Sequence, residues 1–335
     1  MKDLKKYLSI PLVLCGHFIL VAWALSGCDT VVEIDLPNKA SRLTINTIAI
    51  PDSTWTVRVS GSASVLQLRP GHIFQTPPNT QVKITGSEGE IFLEQQSVCR
   101  WWDCQLNTGH ANDRVILFRS GEMLPQEGKT YTLEASAPGF GTAMATITIP
   151  RQVKLDRVEM DTLGIVRDSW SDTEIIELEI RATFTDPGDV ANSYALGLYE
   201  GIEQPLFVQD PETGQWSDRG TILVWQQTHL ESADPTVFVS NGWLLNQSGT
   251  NLLFNDNLFN GQQRTVRFRL RTSYKSIRPV LKTVHQDLWR YLRSADEQDL
   301  TTGNPLAQPV PVFSNIQNGF GIFGAFAYDY LTIEL

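Results

Sequence analysis

The strongest constraint on this chain is a period of two. In TEIIELEIRATF, Ile176, Leu178, Ile180, Ala182 and Phe184 share one parity, and Glu177, Glu179, Arg181 and Thr183 share the other. Successive side chains of a strand point to opposite faces, so this stretch separates apolar from polar only as a half-buried strand. TWTVRVS repeats the pattern with Trp55, Val57 and Val59, and KTYTLEASA with Tyr131, Leu133, Ala135 and Ala137. RTVRFRLRTSY does so with Val266, Phe268, Leu270 and Tyr274. Turn residues punctuate these runs, among them Asn79, Gly86, Gly89, Gly128, Asp186-Pro187-Gly188 and Asn241-Gly242. Short alternating strands with frequent turns predict a mostly β protein built from sandwiches.

Two sandwich-like domains are expected. An alternating strand ends near Ile149-Pro150 and a polar stretch follows, so the first domain is placed at 41–150 and the second at 151–335. The first should be immunoglobulin- or transthyretin-like. In the second, Ile277, Leu281, Val284, Leu288, Tyr291, Leu292 and Ala295 recur at spacings of three and four. That period predicts an amphipathic helix at about 280–296, packed across a sheet, with Lys282, Gln286, Arg290 and Arg293 on its polar side.

The first 27 residues have a different character. MKDLKK is basic, an apolar run extends from Tyr7 to Leu25, and Leu25-Ser26-Gly27-Cys28 follows. This is the layout of an export leader. Its junction resembles the lipobox of bacterial lipoproteins, which implies cleavage before Cys28 and lipidation of the Cys28 thiol, palmitate among the acyl chains. An uncut membrane anchor is the alternative, but Pro11, Gly16 and His17 interrupt the run. Residues 28–40 then serve as anchor and linker.

The chain carries a net charge of −10, and the leader is its basic part, so the remainder is more acidic still. Such a body is not expected to seek nucleic acid or anionic lipid. Of the four cysteines, Cys15 leaves with the leader and Cys28 takes lipid, which leaves Cys99 and Cys104. In an exported protein this pair is expected to form a disulfide. A zinc site lacks further ligands at suitable spacing, and a thioredoxin-like pair needs two intervening residues where four stand here. The staple encloses Trp101 and Trp102, which either anchor a partner or pack on the disulfide.

No catalytic set emerges. EGKT at residues 127–130 ends like a phosphate loop, but Met123 falls where the first glycine belongs. FNDNLFNG suggests a calcium loop, yet Leu258 occupies a ligand position. His72, His110, His229 and His285 are scattered, and no Gly-x-Ser-x-Gly elbow exists. The arginines Arg264, Arg267, Arg269 and Arg271 are expected to pair with neighbouring carboxylates. No metal or cofactor is implied.

Near the C-terminus, NPLAQPVPVFSNIQNGFGIFGAF joins a proline-rich approach (Pro305, Pro309, Pro311) to a turn and then a glycine–aromatic strand. This closing motif, Ser314 to Gly324, resembles that of the Bacteroidota lipoprotein family known as domain of unknown function 4249. The lipobox, Ile34-Asp35-Leu36-Pro37, the Phe184 to Leu196 segment and the Trp289 to Leu292 segment resemble it too. The resemblance implies an outer-membrane lipoprotein, often encoded beside a TonB-dependent transporter, with no established enzymatic activity. The expectation is a lipid-anchored, non-catalytic binding or accessory partner of such a transporter, on the periplasmic or cell-surface face, with its ligand unknown. Trp101, Trp102 and Trp243 are the candidate contact residues. A glycan or peptide hydrolase and a structural or adhesive surface protein are the alternatives.

Overall fold

The computed structural model describes residues 40–63, 75–99, 114–167, 172–209, 213–232, 234–240, 249–302, 307–308 and 310–335. The N-terminal part of the chain supplies β1 (Leu43–Ala49), β2 (Trp55–Gly61), β3 (Gln81–Gly86), β4 (Gly89–Phe92), β5 (Glu94–Cys99), β6 (Arg114–Ser120), β7 (Thr130–Ala137) and β8 (Gly141–Thr148). The rest supplies β9 (Leu155–Arg167), β10 (Glu174–Thr185), β11 (Ser193–Gln209), β12 (Trp216–Gln227), β13 (Phe238–Ser240), β14 (Asn251–Asn255), β15 (Gln263–Thr272) and β16 (Ser276–Val284). Helix α1 (Gln286–Thr301), β17 (Phe320–Tyr330) and β18 (Ile333–Glu334) complete it.

The alternation read from the sequence is the alternation of burial. Along β10 the residues Leu178, Ile180, Ala182 and Phe184 are buried, and on its other face Glu177 and Glu179 pair with Arg271 and Arg269 of β15 at 3.0 and 3.6 Å. Of the arginine stripe, Arg269 and Arg271 are thus paired across the strands and Arg264 pairs with Asp234, while Arg267 stands opposite Arg181. FNDNLFNG is structural as well. The Asp186 carboxylate accepts from Gly261 N at 2.8 Å and from the Tyr194 hydroxyl, and the Asp256 carboxylate accepts from Asn192 N at 2.6 Å. Burial beside these carboxylates raises the Tyr194 pKa.

One sheet runs β13-β14-β11-β16-β17-β1-β2-β6-β5, with β12 added to β11 and β18 to β16. Its β1-side half faces a second sheet, β4-β3-β7-β8, over a core that includes Trp55, Phe118, Tyr131 and Phe323. Its β11-side half faces a third sheet, β15-β10-β9, over a core around Phe184, Tyr194, Phe254 and Phe268. The fold is therefore mostly β, with two sandwich-like halves. Most of the first core comes from before Pro150, but Ile316, Phe323 and Ala325 enter it from the C-terminal end, the large sheet is shared, and residues 40–335 form one compact unit. The joining strand is β17, parallel to β1 and antiparallel to β16.

The closing motif explains that joint. Gly321 has φ +99°, and a Cβ there would stand 2.1 Å from the Ile45 carbonyl oxygen. Only glycine lets β17 approach β1 so closely. At Gly324 an added Cβ would stand 2.9 Å from Leu288 Cδ1, so the helix rests on a gap in the strand.

The helix begins later than its period suggested. Residues 276–284 are strand β16, and α1 spans Gln286–Thr301. The reason is burial on both faces. Ile277 and Leu281 face the second core, while Val284 packs in the cluster under α1, so polar–apolar alternation is lost. Pro279 marks the strand, because proline is excluded from helix interiors. It sits where the neighbouring edge passes from β17 to β18, and its carbonyl accepts there from Leu331 N at 3.4 Å. His285 is the N-cap, its side chain accepting from Asp287 N at 3.2 Å.

Candidate functional site

Helix α1 covers only part of the large sheet's outer face. Leu288 packs there with Ala195, Leu253, Val284 and Ile322. Beside the helix the same face stays open as a cleft with a volume of about 340 Å³. The strand period decides what enters it. From β16 come Arg278, Val280, Lys282 and Val284; from β17, Phe326, Tyr328 and Tyr330; from β11, Ala195 and Tyr199. β12 adds Trp225 and Gln227, β14 adds Asn251, and α1 adds Leu288 and Leu292. The intervening β11 position, Gly197, leaves room for two amides: a Cβ there would stand 3.1 Å from Asn251 Oδ1 and 3.3 Å from Gln227 Nε2.

Lys282 is the unusual member. It is 8% exposed, and its ammonium donates to Asn251 Oδ1 at 3.2 Å and Tyr199 Oη at 3.4 Å. The Tyr199 hydroxyl donates in turn to Gln227 Oε1 at 3.3 Å. The ammonium also lies 5.6 Å from the centre of the Tyr199 ring and 5.5 Å from that of Phe326. These neighbours orient the amine without neutralising it. Among the described residues no carboxylate lies within ion-pair distance of Lys282. Burial pushes its pKa down to about 8. The other ionisable groups lining the cleft are Arg278 and the phenols Tyr199, Tyr328 and Tyr330. Burial, followed by the neighbouring Tyr328, pushes the Tyr199 hydroxyl up to about 12.

Arg278 occupies the other end. Its guanidinium carbon lies 3.7 Å from the Trp225 ring centre and 4.2 Å from that of Tyr330, and its Nε donates to Thr332 Oγ1 at 3.1 Å. Beside it Tyr328 and Tyr330 stack with ring centres 6.3 Å apart and planes 19° apart, each more than two-fifths exposed. The cleft thus offers one buried cation, one cation held between rings, and a strip of aromatic surface.

None of these residues was singled out as a site in the sequence. Lys282 was read as the polar side of a helix, and the signals that would have found it are Pro279 and the Phe326, Tyr328, Tyr330 alternation. The residues that were singled out lie elsewhere: Cys28, Trp101, Trp102, Cys104 and Trp243 fall outside the described residues. Cys99 closes β5, its backbone opposite Arg114, and its side chain is likewise outside the description. His229 shares a hydrogen bond of 3.0 Å with Thr250 Oγ1 and, like the capping His285, joins no acidic cluster. Among the described residues no group of three or more His, Cys, Asp or Glu converges as for a metal ion.

Fold and cleft together define a class: a paired β-sandwich protein with one shared sheet and a cationic, aromatic-lined cleft beside its single described helix. The sequence from 29 to 331 matches the family model for a domain of unknown function (DUF4249), and the chain belongs to that family. No curated protein matches it. Among solved structures, the chain is similar to the native conformation of E. coli alpha-2-macroglobulin seen by cryo-EM. That likeness has 11% identity over 74% of this chain and 16% of the other, with a TM-score of 0.17, too low to carry argument.

Proposed function

We propose that this protein is a non-catalytic binding protein, lipid-anchored through Cys28 to the outer membrane of a Bacteroidota cell, that serves a TonB-dependent transporter. The observation that carries the binding role is the cleft. A buried ammonium held by amide and phenol oxygens, next to exposed stacked rings, is suited to gripping a small ligand. A lysine whose burial depresses its pKa is costly in a fold, and such groups concentrate at functional sites. The accessory role rests on the lipobox at Leu25 to Cys28 and on what the family resemblance implies. Tethering supports it physically, because a partner confined to the membrane meets a transporter at high effective concentration.

The test is an affinity pull-down of the Cys28-anchored protein after crosslinking in intact cells. Recovery of a TonB-dependent transporter is the expected result. Repeated recovery without one, together with hydrolysis of a glycan or peptide panel by the purified protein, moves the reading to a secreted hydrolase. Recovery of surface polymers or neighbouring cells alone moves it to an adhesive protein.

A further inference from the structure

The inference concerns what the cleft binds, and it rests on reading the cleft as a ligand site. Lys282 is a buried cation with no carboxylate of the described chain in ion-pair reach, and its two hydrogen-bond partners are neutral oxygens. Hydrogen bonds and ring faces offset only part of the hydration that a buried ammonium loses, and among the described residues no opposite charge supplies the rest. Its neighbours at the mouth, Tyr328 and Tyr330, are 42% and 43% exposed and stack on each other, and Arg278 lies over the Tyr330 ring, so Tyr328 is the ring nearer Lys282 that a ligand can meet. An exposed aromatic ring of this kind packs against flat, weakly polar bodies.

We propose that the ligand of this cleft is a small organic carboxylate with a ring body, its anionic oxygens meeting Lys282 and its ring packing against the exposed aromatic edge of the Tyr328–Tyr330 pair. Size sets one limit, since about 340 Å³ is near the lower end of small-molecule sites and suits one or two rings rather than a polymer segment. Spacing sets another. Arg278 and Lys282 are four residues apart on β16, about 13 Å along an extended strand, so one carboxylate cannot bridge both. Arg278 is moreover clamped between Trp225 and Tyr330, which fixes the cleft's outer end as an aromatic rim. The ring could come from an aromatic acid or from an acidic sugar, and the two share the chemistry that Lys282 reads.

The experiment uses the exported form of the full chain and two probe pairs. These are indole-3-acetate with indole-3-acetamide, and glucuronate with glucuronamide. Calorimetry measures affinity, and NMR follows the Trp225 indole N–H to locate binding in the cleft. The expected result is that at least one acid binds ten-fold or more tightly than its amide, and that Lys282→Met removes the difference between them. Which pair shows it separates an aromatic acid from an acidic sugar. Acid and amide binding equally, with the Trp225 signal shifted by both, overturns the anion assignment and leaves the cleft as a binding site. No probe shifting the Trp225 signal overturns the proposal, and the pull-down above judges the wider reading separately.

Discussion

Replacing Lys282 with methionine should make the protein more stable, against the usual direction for a buried position. The lysine amine has its pKa lowered from 10.5 to about 8 by burial. At about 1.4 kcal/mol per pKa unit, keeping it charged in the fold costs on the order of 3 kcal/mol. Methionine keeps the stem's packing and removes the charge. It also leaves Asn251 Oδ1 without the donor at 3.2 Å, a loss of about 1 kcal/mol. The net gain is about 2 kcal/mol at pH 7, or about 3 °C in Tm for a body of this size. The pH dependence isolates the cause. Below pH 8 the amine is charged in both folded and unfolded chains, so the full cost stands. Between pH 8 and 10.5 the folded chain gives up the proton first and the cost shrinks. Wild type should therefore gain on Lys282→Met as pH rises through that window. Urea unfolding of both proteins between pH 7 and 10.5 measures the difference. A variant less stable than wild type at pH 7, or a difference that stays flat across the window, would refute the reasoning.

Gly321→Ala forces a Cβ to within 2.1 Å of the Ile45 carbonyl oxygen at a positive φ, and should cost at least about 3 kcal/mol by chemical denaturation. Gly139→Ala, at φ +81° with open space around it, should cost only about 1 kcal/mol and serves as its control. Cys28→Ala should abolish fatty-acid labelling and release the protein from the membrane fraction; label persisting on the variant would remove the anchor from the account. Cys99 and Cys104 should appear in non-reducing mass spectrometry as a peptide lacking two hydrogens, and two freely alkylated thiols in unreduced protein would count against the staple.

How far the sequence spoke for itself differs between fold and site. Strands such as β7 and β10 were legible because each has one face in a core and one in water, which prints alternation on the chain. β16 was not, because apolar residues fill both its faces and their spacing then imitates a helix. The closing motif was legible as a glycine–aromatic strand, and its Gly321 and Gly324 are the places where that strand closes on β1 and α1. That β17 would bind the two halves into one sheet was not legible, since strand pairing over so long a separation leaves no local signature. The cleft was hidden for the same reason. Tyr199, Trp225, Asn251, Lys282 and Tyr328 come from five strands, and only their register in one sheet gathers them. A lysine's burial, unlike its identity, is decided by what the rest of the chain stacks over it.

The central claim, that Lys282 is a buried cation with no counter-charge among the described residues, has a direct measurement. A heteronuclear NMR titration of the lysine side chains, with Lys282 assigned by its absence from the Lys282→Met spectrum, gives the amine's own midpoint. The expected midpoint is about 8, well apart from exposed lysines near 10.4. A midpoint with the exposed lysines would contradict the account, because it would place the amine in water or against an anion of the protein itself.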